Sequence, residues 1–132
     1  MKRVALVSDY MTRELITLSP QTEINRAMNI LLDNRISGAP VLADDGTLVG
    51  VLSKKDCLKA AMQASYYRSW GGRVEAYMSR DVQTLEAGLD IFAATNAFLQ
   101  SAFRRFPVIE DGRLVGQISR ADALRAMKDS WD

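Results

Sequence analysis

The sequence predicts an α/β protein made of two tandem copies of one motif, in the order strand, helix, strand, hairpin, strand, helix. Three observations lead there. The stretch GTLVGVLSKKD, Gly46 to Asp56, returns as GRLVGQISRAD, Gly112 to Asp122, with glycine, Leu-Val-Gly, serine and aspartate in the same order. A constant shift also superposes Tyr10-Met11 on Tyr77-Met78, Arg13 on Arg80, Thr17-Leu18 on Thr84-Leu85, Ile24 on Ile91, Ala27 on Ala94, Asn29 on Asn96, Leu32 on Leu99 and Pro40 on Pro107. The register changes once, where Asp44-Asp45-Gly46 faces Asp111-Gly112, and an indel in a turn is what a duplicated loop tolerates.

Within the first copy, Val4 to Val7 is a brief apolar segment, either a strand or the start of the unit. Leu15 to Leu18 reads as a short buried strand, because it is apolar and β-branched without helical spacing. Ser19-Pro20 is a helix-start signal. Ile24, Ala27, Met28, Leu31 and Leu32 then fall on one helical stripe, with Asn25, Arg26, Asn29 and Asp33 opposite, and Asn34 to Gly38 ends the helix. Ala39 to Leu42 is a second strand, in which Pro40 belongs at a start or edge. Asp44-Asp45-Gly46 marks a hairpin, Leu48 to Leu52 is its return strand, and Ser53 opens a helix from Lys54 to about Ala64 that buries Leu58, Ala61 and Met62.

Gln63 to Glu75 has no counterpart in the second copy. Gly71-Gly72 marks a turn there, and the stretch reads as a part-helical connection whose Tyr66, Tyr67 and Trp70 make ordinary packing contacts. Neither copy is long enough for an independent core, so the two are expected to share one about a pseudo-twofold axis. The expected boundaries are 8–64 for the first unit, 65–75 for the connector and 76–128 for the second unit.

Composition narrows the function. With 132 residues, 48% hydrophobic and 25% charged, the chain suits a soluble globular domain. A net charge of +1 supplies no field that would draw it to nucleic acid or an anionic membrane. A single cysteine excludes an internal disulfide and suits a reducing compartment; no apolar run would span a bilayer, and the N-terminal apolar run is too short for a signal peptide, so a cytoplasmic protein is expected. There is no histidine, so the commonest general base and metal ligand is missing, and one cysteine cannot make a zinc site or a Cys–His pair. No glycine-rich phosphate loop is present. The residues point away from an enzyme, a catalytic cofactor or a bound metal. Cys57 is replaced by Ala123 in the second copy, which suits a small packed residue.

Ser53-x-x-Asp56 and Ser119-x-x-Asp122 have the spacing of a helix capping box, worth about 1 kcal/mol and reason enough for their presence. The same helix start is also an anion site, where a serine hydroxyl can donate to phosphate while a nearby carboxylate accepts from a pair of sugar hydroxyls. Spacing leaves both roles open. Arg104-Arg105, just before Phe106-Pro107, is either a solvated loop or, near a helix N-terminus, a phosphate clamp.

These motifs, in order and twice, resemble a tandem pair of cystathionine-β-synthase (CBS) domains, a Bateman module. They are Met11-Thr12 and Met78-Ser79 followed by Thr17-Leu18 and Thr84-Leu85, the Pro-Val pairs at Pro40 and Pro107, and the Gly-x-[Ile/Leu]-Ser-x-x-Asp runs ending at Asp56 and Asp122. The resemblance covers nearly the whole chain, from about Ser8 to Met127. It implies two βαββα units about a pseudo-dyad with two clefts that take adenine nucleotides (AMP, ADP, ATP) or, in some members, S-adenosylmethionine. It further implies a homodimer, and a regulatory energy sensor acting on an unidentified partner protein.

Residue by residue, the resemblance makes Ser53 and Ser119 phosphate contacts and Asp56 and Asp122 ribose ligands. Thr12 and Ser79 are polar contacts before the first strand. Ile16-Thr17 and Gln83-Thr84 are the segments whose backbone reads the adenine edge. Ile36 and Phe103, with Val51 and Gln117, sandwich the base, and Arg104 and Arg105 meet phosphate. It implies composite clefts: Thr12, Ile16, Thr17 and Ile36 with Gln117, Ser119 and Asp122, and Ser79, Gln83, Thr84 and Phe103 with Val51, Ser53 and Asp56. Because Ser37-Gly38 faces Arg104-Arg105 in the alignment, and Ile16 faces Gln83, the two clefts are not expected to be equivalent. The expected protein is a stand-alone regulatory CBS pair that binds an adenine nucleotide and signals occupancy by a population shift. The alternatives are an S-adenosylmethionine sensor, and a structural module with vestigial clefts whose Ser-x-x-Asp pairs only cap helices.

Overall fold

The computed structural model describes residues 3–67 and 71–131. In chain order its elements are α1 (Val7–Tyr10), α2 (Ile24–Asp33), β1 (Gly38–Leu42), β2 (Leu48–Ser53), α3 (Lys54–Tyr67), α4 (Val74–Tyr77), β3 (Leu85–Glu86), α5 (Ile91–Leu99), β4 (Arg105–Glu110), β5 (Arg113–Ser119) and α6 (Arg120–Asp129). They form two compact bodies. Body I joins Met1–Leu15 to Gln83–Asp132, and body II is Ile16–Val82. Among the described residues no helix is long and apolar enough to cross a membrane.

In body II, β1 and β2 pair antiparallel with Gly38 opposite Ser53, and the hairpin turns on Gly46 at φ +88°. The expected Leu15–Leu18 strand shrinks to one residue. Leu18 lies parallel to Val41, donating its N–H to the Pro40 carbonyl at 2.9 Å and accepting from the Leu42 N–H at 2.8 Å. Ser19-Pro20 opens a turn rather than a helix. The Pro20 and Thr22 carbonyls accept from the N–H groups of Glu75 and Val74, so this segment is held by the start of α4, and α2 begins only at Ile24.

In body I, β4 and β5 make the equivalent antiparallel pair, with Arg105 opposite Ser119, and β3 runs parallel to β4. The two turn residues Asp111 and Gly112 both have positive φ, +52° and +77°, the twist a tight hairpin requires. Asp90 caps α5 by accepting from the Ala93 N–H at 2.9 Å.

The expectation of one shared core does not hold, because two core clusters form. That of body II gathers Leu18, Ile24, Ala27, Leu31, Val41, Leu52 and Ala60 with Val74 and Met78; that of body I gathers Ile91, Ala94, Phe98, Phe106, Val108 and Ile118 with Val7. Each cluster therefore takes its lid from the other repeat. Val7, at the head of the first repeat, is buried among second-repeat residues, and Val74, at the head of the second, among first-repeat residues. A copy too small to bury its own apolar surface reaches sufficiency by exchanging this short segment.

The burial of α3 also departs from expectation. Leu58 and Met62 are exposed, at 66% and 72%, while Cys57, Ala60 and Ala64 are buried. The inward face is one position earlier than the apolar bulk suggests, and its small side chains are what pack on the body's core. Leu32, assigned to the apolar stripe of α2, likewise points outward. Tyr66 and Tyr67 are exposed at the end of α3 and meet each other edge-to-face, centroids 4.8 Å apart, an ordinary aromatic contact on the helix. Trp70 lies outside the described residues.

Candidate functional site

Both Ser-x-x-Asp motifs form reciprocal capping boxes at the start of a long helix. At α3, the Asp56 N–H donates to Ser53 Oγ (3.1 Å) and the Ser53 N–H donates to Asp56 Oδ2 (2.9 Å). At α6, the Asp122 N–H donates to Ser119 Oγ (3.2 Å) and the Ser119 N–H to Asp122 Oδ2 (2.8 Å). The sequence builds this locally: serine ends a strand with β-region backbone, and the aspartate three residues on satisfies its N–H while the hydroxyl satisfies a helix-start donor. Free N–H groups and the helix dipole then favour an anion at the same place.

The two boxes differ in what their side chains have left to offer. The Ser53 hydroxyl also donates to Asp56 Oδ2 at 2.9 Å, and Asp56 is partly exposed. Among the described residues Asp56 Oδ1 has no hydrogen-bond partner, and since no buried side-chain oxygen is left unpaired, Oδ1 is open to solvent. Asp122, in contrast, is buried, at 5% exposure, and its Oδ1 is ion-paired to the Arg125 guanidinium one turn along α6. The first repeat carries Lys59 at the position of Arg125.

The segment before each first strand meets the partner repeat's strand. In body I, Thr12 and Gln117 exchange both backbone hydrogen bonds, at 2.8 and 2.9 Å. In body II, Ser79 and Val51 do the same, both at 2.9 Å. The glycines of the two Leu-Val-Gly runs make this possible. A Cβ at Gly116 would lie 2.8 Å from the Thr12 carbonyl oxygen and 2.7 Å from Met11 Sδ; at Gly50 it would meet the Ser79 oxygen and Met78 Sδ at the same distances. The structure thus brings Thr12 to the strand that ends in Ser119, and Ser79 to the strand that ends in Ser53.

The remaining site residues distribute as follows. Ile16, Thr17 and Ile36 belong to body II, the first two exposed and Ile36 half-buried against its core. Gln83, Thr84 and Phe103 belong to body I, all exposed, with the Phe103 ring 5.6 Å from that of Phe106. Arg104 and Arg105 stand beside the α6 start, since the Arg104 carbonyl accepts from the Arg120 N–H at 3.0 Å and Arg105 pairs with Ser119. Arg120 is a residue sequence reasoning missed. Its guanidinium donates to the Phe103 and Ser101 carbonyls and fixes the loop that carries the two arginines. Its counterpart Lys54 is also basic, so the repeat comparison gave no contrast that would single it out.

Known proteins share this pattern. The CBS domain family matches residues 7–63 and again 74–129. The chain belongs to the CBS domain family. A crystal structure of CBSX2, an Arabidopsis thaliana CBS-pair protein, in complex with AMP is 29% identical, covers 96% of this chain and 98% of its own, and superposes with a TM-score of 0.82. The CBS domain pair of MJ0100, solved with 5′-methylthioadenosine and S-adenosyl-L-methionine, is 25% identical, covers 97% of this chain and 99% of its own, with a TM-score of 0.78. The uncharacterised protein MJ1225 of Methanocaldococcus jannaschii is 26% identical over 95% of this chain, and this chain spans 44% of its length. The fold is therefore α/β with two tandem CBS units, as the motifs imply.

Proposed function

We propose that this CBS pair is a regulatory module that binds an adenine nucleotide, with the Ser-x-x-Asp helix starts as its polar anchors. The observation that carries the reading is the likeness, end to end, to a CBS-pair protein solved with AMP. The local chemistry supports it. Ser53 and Ser119 sit at helix starts that favour phosphate, Asp56 and Asp122 supply carboxylates for a ribose diol, and Thr12 and Ser79 pair against the strands that lead to Ser119 and Ser53. Ile16, Thr17, Ile36, Val51, Gln83, Thr84, Phe103 and Gln117 complete the proposed base contacts, and Arg104 and Arg105 the phosphate contacts.

Occupancy acts as a population shift: a ligand with unequal affinity for two conformations favours one, and a regulated protein reads the difference. The module works as a homodimer in this reading. Leu32, Leu58 and Met62 in body II, and Leu99 and Leu124 in body I, are large apolar side chains left exposed on helices, which suits burial against a second copy. A second ligand, S-adenosylmethionine, is favoured by the MJ0100 complex, since an aspartate that accepts from a ribose diol serves either molecule.

Thermal melting with AMP, ADP, ATP and S-adenosylmethionine tests this. A bound ligand at one hundred times its Kd stabilises the fold by about 2.7 kcal/mol, a shift of several degrees. Asp56→Ala and Asp122→Ala together should abolish the shift. Absence of any shift in the unsubstituted protein reduces the module to a structural one.

A further inference from the structure

We propose that Arg125 latches the second aspartate, so that the site at Asp56 is the primary ligand site and the site at Asp122 fills only when Arg125 is displaced. The proposal rests on the nucleotide-binding reading above and adds an order to it. Two carboxylates offered as ribose ligands are in opposite states. Asp56 keeps Oδ1 open to solvent, whereas Asp122 has Oδ2 on the Ser119 N–H and Oδ1 on the Arg125 guanidinium. A ribose diol brings two neutral O–H donors. Against Asp56 they replace water; against Asp122 they must displace a guanidinium, whose full positive charge beside the carboxylate a neutral hydroxyl does not replace. Asp122 is buried, so little water competes for its oxygens, while the Arg125 side chain is 61% exposed and has room to move aside when displaced.

Of the two carboxylates that flank Arg125 on α6, Asp122 is the one that pairs with it. Asp122, Arg125 and Asp129 fall at i, i+3 and i+7 of α6, so the guanidinium sits on a stripe between two carboxylates. Asp129 is itself fixed, accepting from the Tyr10 hydroxyl at 2.5 Å. The first repeat has none of this. The positions of Arg125 and Asp129 are Lys59 and Gln63, and Tyr77, the counterpart of Tyr10, donates instead to the Gly71 carbonyl at 3.0 Å. The asymmetry is thus built from two positions at which the repeats differ, Arg125 against Lys59 and Asp129 against Gln63.

Isothermal titration of the full chain with AMP, and separately with S-adenosylmethionine, tests the latch. The expected result is one binding event per chain, weakened at least about tenfold by Asp56→Asn and left within about twofold by Asp122→Asn. Arg125→Ala should add a second event, or tighten a weak one by about tenfold, and Asp122→Asn in that background should remove it. Circular dichroism melts of each variant check that it is folded. Two equal events in the unsubstituted protein overturn the latch while leaving nucleotide binding intact, as does loss of the single event in Asp122→Asn with Asp56→Asn unaffected. No binding of either compound by any folded variant overturns both the latch and the reading beneath it.

Discussion

Thr12 and Gln117, 105 positions apart in the chain, exchange both of their backbone hydrogen bonds, at 2.8 and 2.9 Å. Ser79 and Val51 repeat the arrangement in the other body. Each strand that ends in a Ser-x-x-Asp helix start therefore lies against a segment of the other repeat. The glycine one residue before Gln117, and its counterpart before Val51, leave room for that approach.

A methyl group at either glycine should break the approach. Gly116→Ala and Gly50→Ala are each expected to destabilise the protein by about 1–3 kcal/mol, since the atoms in the way include a backbone carbonyl as well as a flexible methionine end. Urea midpoints measure it. Substituting the exposed Gly88, where an added Cβ meets nothing within 4 Å, is the control and should cost much less.

The capping boxes contribute to folding whether or not they bind a ligand. Ser119→Ala should cost about 1 kcal/mol in ligand-free urea unfolding, and Ser53→Ala a similar amount. Ser53→Gly should recover most of that loss, because glycine at a helix start is only slightly worse than serine.

Cys57 should be a slow thiol. Burial pushes its pKa above the ordinary cysteine value, and the neighbouring Asp56 charge adds to the effect. Alkylation at about pH 8 should be slower in the native protein than in urea, with little thiolate available to react. Cys57→Ala should change stability by less than about 1.5 kcal/mol, as Ala123 fills the equivalent buried position in the other repeat.

Asp9 gives a pH signature. The Leu6 N–H and the Arg3 guanidinium hold its carboxyl below the ordinary value of 3.8. A folded-state pKa below the unfolded one gives stability that is present above the unfolded pKa and lost as pH falls through the folded one. The stability difference between the unsubstituted protein and Asp9→Asn should therefore be constant near neutral pH and shrink below about pH 4, as urea midpoints across that range would show.

Much of the fold was legible because its signals are local. Asp-Gly turns specified both hairpins, serine and aspartate at capping distance specified the starts of α3 and α6, and the repeat fixed the order of elements. Burial on α3 was misread because hydrophobicity ranks Leu58 and Met62 above the alanines that face the core. The repeat held the better clue, since Cys57 and Ala60 align with Ala123 and Ala126, small in both copies and buried in both. The exchange of Val7 and Val74 between repeats was not legible, as it depends on tertiary placement that no local pattern encodes. In the site, Ser53, Asp56, Ser119 and Asp122 stood out by spacing. Arg125 did not, because the first repeat carries a lysine at the same point and so offers no contrast in charge.

Whether the Ser-x-x-Asp helix starts hold an adenine nucleotide is tested residue by residue by amide NMR during titration with AMP. Saturable shifts are expected at the amides of Ser53 to Cys57, with Ser119 to Ala123 joining them in Arg125→Ala. An unchanged spectrum, or shifts confined to the small cavity lined by Glu23, Asn25 and Gly71 to Arg73, would contradict that reading.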